Sequence, residues 1–310
     1  MGVWCALGGA LLFSSKAILI KYAYRYGVDA QTLLAMRMLY ALPFFAVMVA
    51  WTQWRAPRQL TARDLWQLAV LGFFGYYLSS YTDFQGLRYI SAALERVVLY
   101  TYPVMVLLFA ALAARRAPPP RLLAAVALAY PGVALAVLHD WQLGGANLPL
   151  GVGLVLISAL SFAIYLYRSG PTLQRLGAAR VTGFATGIAC LLVLAHVGLT
   201  RPIGAIAREP APVQWSAVGL AIGCTVIPIW LNGIAVRRLG ATRTALIATT
   251  GPVFTLALAW VFLREPVSWS MLMGAALVLA GVSLVSRPAG EPRRQALAAQ
   301  GTGGSAPGSR

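Results

Sequence analysis

The chain has 310 residues, of which 59% are hydrophobic and 11% charged, and its mean hydropathy is +0.73. A soluble domain carries roughly 25% charged residues, so this composition excludes a water-soluble globular protein, whose surface could not be covered with so few charges. The charge is also lopsided, 25 Lys+Arg against 8 Asp+Glu for a net +17; in a membrane protein basic cytoplasmic loops account for such an excess, and nucleic acid is not expected as a partner.

A helix needs about 20 apolar residues to cross about 30 Å of hydrocarbon. The first such window, residues 3–24, lacks the basic n-region and Ala-x-Ala exit of a signal peptide and reads as a span. It contains Ser14, Ser15, Lys16 and, near its outer end, Lys21. The second window, 32–52, contains Arg37. The third, 65–84, carries Tyr76, Tyr77 and Tyr81 and ends at Asp83. The fourth, 90–113, holds Glu95, Arg96, Tyr100, Tyr102 and Pro103, and the fifth is 122–138. Five more follow: 150–167, 181–199, 213–236 with Trp230, 245–263 with Pro252, and 269–285. Continuous apolar runs without period-2 alternation exclude a barrel. The expected fold is therefore an all-α polytopic membrane protein with ten transmembrane helices. Gly183/Gly187 and Gly219/Gly223 have the spacing of close helix contacts. Residues 288–310, made mostly of Gly, Ala, Pro, Arg and Gln, read as a disordered cytoplasmic tail.

With the N-terminus in the cytoplasm, sixteen Lys/Arg fall in cytoplasmic segments and six on the opposite side. This bias predicts both termini cytoplasmic; the expected location is the cell inner membrane. Cys5, Cys190 and Cys224 sit inside apolar runs and read as packing residues. His139 and His196 have no companions at ligand spacing, and no Gly-Lys-Ser/Thr is present. No metal, no cofactor and no ATP-driven step are expected.

Shifting the chain by 149 residues against itself aligns Trp66 with Trp215, Arg88 with Arg237, Pro103-Val104 with Pro252-Val253 and Gly132-Val133 with Gly281-Val282, without a gap. Two copies are expected, residues 1–142 and 143–287. Each holds five spans, an odd number, so the second enters the membrane upside down. Inverted repeats suit secondary transporters, whose halves exchange conformations so that a central site faces each side in turn.

Several segments carry a family resemblance: residues 10–21, Leu34-Ala35-Met36-Arg37, residues 89–104, Leu239-Gly240-Ala241, Gly251-Pro252-Val253-Phe254, Phe262-Leu263-Arg264-Glu265-Pro266 and residues 274–282. They resemble the drug/metabolite transporter superfamily, specifically its EamA-type ten-helix members, over nearly the whole chain. The resemblance implies movement of small metabolites without ATP, with export and amino acids or related polar solutes favoured. A multidrug or lipid-like substrate is the alternative within transport. An intramembrane enzyme is the alternative outside it, and it lacks a nucleophile–base or metal constellation. Neither the coupling ion, with a proton as one option, nor monomer versus homodimer can be read.

A charge inside the bilayer costs at least about 2.5–3.5 kcal/mol, so Lys16, Arg37, Glu95 and Arg96 are the candidates for solute binding or gating. Glu95, alone or with Lys16, would respond to protons, while Lys16 or Arg37 would hold a substrate carboxylate. Arg37 has a structural alternative, a tie to Glu95 or to a carbonyl; Lys21 and Asp83 have another, reaching to the interface. Tyr100 and Trp230 are candidate cavity residues. Pro103 and Pro252 are candidate hinges, because a mid-helix proline removes a hydrogen bond.

Overall fold

The computed structural model describes residues 1–115, 117–142, 144, 147–200, 206 and 208–286, and among these it contains helices and no strand. Arg116, Arg201, Arg287 and the proposed tail from 288, which enter the charge reading, lie outside the described residues. Backbone amides and carbonyls have no water to bond in hydrocarbon, and a helix satisfies them internally.

The first half comprises α1 (Gly2–Ser14), α2 (Lys16–Tyr24), α3 (Ala30–Arg55), α4 (Ala62–Gly72), α5 (Ser79–Gly86), α6 (Ala92–Leu99), α7 (Tyr102–Ala113) and α8 (Pro120–Gln142). A π-helical segment, Phe73–Leu78, joins α4 to α5. The second half comprises α9 (Leu148–Leu176), α10 (Ala178–Thr200), α11 (Ala211–Val218), α12 (Ile227–Leu239), α13 (Ala241–Ala248), α14 (Gly251–Leu258) and α15 (Trp269–Ser286). Two further π-helical segments interrupt it, Gly219–Val226 and Ala259–Leu263.

Among the described residues seven helices are long and apolar enough to span a membrane: Gly2–Tyr24, Ala30–Arg55, Ala92–Ala113, Pro120–Gln142, Leu148–Leu176, Ala178–Thr200 and Ala211–Leu239. The chain is thus a polytopic membrane protein. The other three windows read from sequence fall on helices outside that set. The 65–84 window lies on α4 and α5, whose Gln67, Ser79, Ser80 and Asp83 dilute its apolar character. The 245–263 window is cut at Thr249–Thr250, leaving Gly251–Leu263, and the last falls on the shorter Trp269–Leu284.

Helices α8 and α15 cross at backbone contact. A Cβ added at Gly132 would stand 2.7 Å from the Gly274 carbonyl oxygen, and one at Gly274 would stand 2.5 Å from that of Gly132. At Gly281 it would be 2.8 Å from the Ala125 oxygen. Small residues allow this approach, and packing there replaces the hydrophobic effect that lipid cannot supply. Gly274→Ala is expected to lower stability by about 1–3 kcal/mol through overpacking, read as a lower thermal midpoint in detergent; an unchanged midpoint would show that the crossing relaxes freely. Of the glycine pairs expected at helix contacts, a Cβ at Gly183 or Gly219 would meet α3 or α2 side chains, whereas one at Gly187 or Gly223 would meet no other element within 4 Å among the described residues.

Candidate functional site

The site begins with the first span, which loses its α-helical regularity at Ser15 and resumes at Lys16. Lys16 is buried, and its Nζ donates to Asp83 Oδ2 at 2.6 Å and to Glu95 Oε1 at 3.4 Å. One ammonium therefore ties α2 to α5 and α6. The expectation that Asp83 reaches to the interface is corrected: it is 2% exposed and paired with Lys16. Glu95 and Arg96 are both fully buried, with Arg96 Nε 4.0 Å from Glu95 Oε2. Asp83 Oδ1 and Glu95 Oε2 have no hydrogen-bond partner among the described residues.

Arg96 crosses between the halves. Its Nε donates to Thr255 Oγ1 at 3.0 Å, its Nη2 donates to the Phe13 carbonyl at 3.2 Å, and its guanidinium lies over the Phe13 ring, 5.4 Å from the centroid. The neighbours Glu95 and Arg96 thus serve different partners, as residues about 100° apart on a helix do.

Among the described residues Arg37 bonds neither to Glu95 nor to a carbonyl. Its Nε donates to Thr225 Oγ1 at 3.2 Å and its Nη1 to Ser80 Oγ at 3.5 Å, with Phe84 beneath it at 5.6 Å. Thr225 belongs to the second π segment and Ser80 follows the first. A π turn inserts an extra residue and so re-aims the side chains after it, here bringing two hydroxyls to one guanidinium.

Two helices break beside this cluster. Tyr100 and Thr101 separate α6 from α7, and Thr249 and Thr250 separate α13 from α14. Pro103 and Pro252 lie in the first turns of α7 and α14, where an amide has no intrahelical acceptor to lose. The expectation that they delete mid-helix hydrogen bonds is corrected: the break precedes each proline. Tyr100 Oη donates to the Ala248 carbonyl at 2.8 Å, and Ser14 Oγ donates to the Gly251 carbonyl at 2.9 Å. Polar side chains of one half therefore satisfy carbonyls at the break in the other. Trp230 does not join them. Its helix buries Pro228 and Ala235, and the indole, on another face, is 65% exposed.

The start of α6 is held from both halves. Ser91 Oγ caps Leu94 N at 3.0 Å, and Asp140 accepts from the amide and hydroxyl of Ser91, each at 2.8 Å. Glu265 Oε1 and Oε2 accept from the Ala92 and Ala93 amides at 3.0 and 3.3 Å. Arg264, in the left-handed region at φ 60°, ends the last π segment just before Glu265. Carboxylates at a helix N-terminus complement its dipole and orphan amides. Burial pushes the Glu265 carboxyl up, while the Ala92 amide, the charge of Lys21 and the Ala93 amide pull it back. These anchors position Glu95 and Arg96 one turn on.

Sequence reasoning had not assigned Asp140, Thr255, Ser80 or Thr225, and had quoted Glu265 only within a motif. No spacing along the chain signals their partners; the polar residues inside apolar windows were the available clue. Among the described residues no group of three or more His, Cys, Asp or Glu is arranged to hold a metal ion.

Buried charges between discontinuous membrane helices are an arrangement that secondary transporters use, and sequence comparison gives the family. Residues 1–138 and again 149–287 match the EamA-like transporter family, so the chain belongs to that family, within the drug/metabolite transporter superfamily. It is 31% identical over 271 residues to the uncharacterized transporter YcbK of Bacillus subtilis (strain 168), covering 86% of each chain. It is 23% identical to an uncharacterized transporter of Archaeoglobus fulgidus, over 89% of this chain and 94% of the other. A solved crystal structure of a protein superposes with a TM-score of 0.61 at 21% identity, covering 92% of this chain and 95% of that one, which speaks for the fold.

Proposed function

We propose that this chain is a secondary transporter, working without ATP by alternating access, that exports a small polar solute, with amino acids the favoured class. It is built of ten spans in two inverted five-helix repeats, residues 1–142 and 143–287, in the cell inner membrane with both termini cytoplasmic. The observation that carries this reading is the meeting of two broken helices, at Tyr100–Thr101 and Thr249–Thr250, tied by the Tyr100 hydroxyl beside the Lys16–Asp83–Glu95 cluster. Discontinuous helices at a repeat interface are where such transporters hold their solutes.

Further features support the repeat. The two breaks are 149 residues apart, the same offset that aligns Pro103 with Pro252. The first π segment, Phe73–Leu78, shifted by that offset overlaps the second, Gly219–Val226. At the α8–α15 crossing, Gly132 abuts Gly274 and Gly281 abuts Ala125; the offset converts the first contact into the second with the helices exchanged, as a two-fold axis through the crossing requires. An enzymatic reading finds no such support.

For the substrate class, charge is the argument. Asp83 and Glu95 share Lys16, whereas Arg37 is bonded to two neutral hydroxyls. A guanidinium with no carboxylate partner among the described residues, near carboxylates each with an oxygen unbonded among them, suits a zwitterion carrying both charges. Export rests on the family resemblance alone. Counterflow in proteoliposomes preloaded with unlabelled amino acids tests the function: labelled amino acid should exchange inward, and Arg37→Gln should weaken its apparent affinity about tenfold, the loss of one charge-assisted contact. Exchange of organic cations but of no amino acid would favour the multidrug reading. Reporter tags at positions 145 and 300 on the same face of the bilayer would end the inverted-repeat reading.

A further inference from the structure

We propose that the cleft between α4 and the end of α9 binds the phosphate of an anionic phospholipid. The cleft has a volume of about 410 Å³, within the usual range for ligand pockets, and three arginines line it, Arg63, Arg168 and Arg175. Arg175 is already engaged: it pairs with Asp64, and its Nη2 donates to Gln67 Oε1 at 2.7 Å. Asp64 is itself held by the Thr61 hydroxyl and amide in a capping box. Arg63 and Arg168 are exposed and have no carboxylate within ion-pairing distance among the described residues. The cleft thus presents two uncompensated guanidiniums, a geometry suited to phosphate oxygens.

The apolar part of the lining distinguishes a lipid from a free anion. Val70 and Leu71 on α4 and Pro171 on α9 stand among the arginines, so the start of an acyl chain can lie beside the headgroup. Trp66, 71% exposed at the cleft, is the residue type that sits at headgroup depth. Basic pockets between membrane helices recognise anionic headgroups in this way. The site is remote from the Lys16 cluster in sequence and partners, and it does not depend on the transport reading.

The test uses the full chain, delipidated in detergent. Phosphatidylglycerol should raise the thermal midpoint more than phosphatidylcholine at equal mole fraction. In Arg63→Gln/Arg168→Gln the apparent affinity for phosphatidylglycerol, by titration of that midpoint, should fall about tenfold or more, from roughly one unit charge of attraction lost per arginine. Arg63→Lys/Arg168→Lys keeps both charges and should retain most of the effect, which separates binding from misfolding. Equal stabilisation by the two lipids, or an undiminished phosphatidylglycerol effect in the glutamine variant, would overturn the proposal. So would glycerol 3-phosphate matching the lipid at equal concentration, which would assign the cleft to a soluble phosphate ester.

Discussion

Lys16→Met is expected to destabilise the protein by about 3–5 kcal/mol, the usual cost of removing one partner from a buried ion pair. Lys16 Nζ lies 2.6 Å from Asp83 and 3.4 Å from Glu95, and both carboxylates have side chains at most 3% exposed. Without the ammonium, two carboxylates would remain in a low-dielectric interior, with Arg96 Nε 4.0 Å from Glu95 Oε2. The cost is that of the stranded charges rather than of the contact, so removing a carboxylate as well should recover much of it. Lys16→Met/Asp83→Asn is therefore expected to melt well above Lys16→Met alone, and the double-mutant cycle should give a coupling above about 1 kcal/mol. Thermal midpoints in detergent measure this. A single variant that melts like the parent protein would mean that Lys16 does not hold the first span to the third.

Glu95→Gln is expected to abolish the stimulation of transport by a pH gradient while exchange of preloaded solute persists. Three observations motivate this. Asp83 and Glu95 share one ammonium, each keeps a buried oxygen without a hydrogen-bond partner among the described residues, and Arg96, 4.0 Å from Glu95 Oε2, gives its hydrogen bonds to Thr255 and the Phe13 carbonyl. One proton on the pair leaves it a single negative charge, opposite to that of Lys16, and the cluster titrates as a unit. Glutamine has the shape of glutamic acid but cannot release the proton, so coupling should be lost before exchange is. Proteoliposomes with imposed pH gradients measure the first, counterflow the second. Asp83→Asn in parallel locates the proton: coupling lost there but intact in Glu95→Gln would move it to Asp83, and coupling intact in both would remove the proton from the mechanism.

Much of the architecture was legible along the chain, because the bilayer imposes a length and a hydropathy on each crossing. The windows fell on helices, yet α4–α5 and α13–α14 are less regular than windows suggest, since hydropathy averages over π segments and two-residue breaks. The candidate charges were equally visible, since Lys16, Arg37, Glu95 and Arg96 each interrupt an apolar run. Their partners were not. Asp83 stands at the end of its window and read as interfacial, but neighbouring helices cover it and Lys16 reaches it from 67 positions away in the chain. For Trp230, depth in a span can be counted, but the face a residue shows depends on how the helix is rotated against its neighbours, and α12 leaves its indole 65% exposed.

Composition and periodicity by themselves determined that this chain lives in lipid, that it crosses as helices and that a few charges sit where charge is costly, because each follows from the local transfer of residues out of water. Tertiary structure alone decided which charge meets which, that Arg37 lies between hydroxyls rather than carboxylates, and that Glu265 reaches back to cap α6. Those outcomes depend on helix rotation, depth and crossing, set by backbone contacts such as Gly132 against Gly274, and no term in the local sequence encodes them.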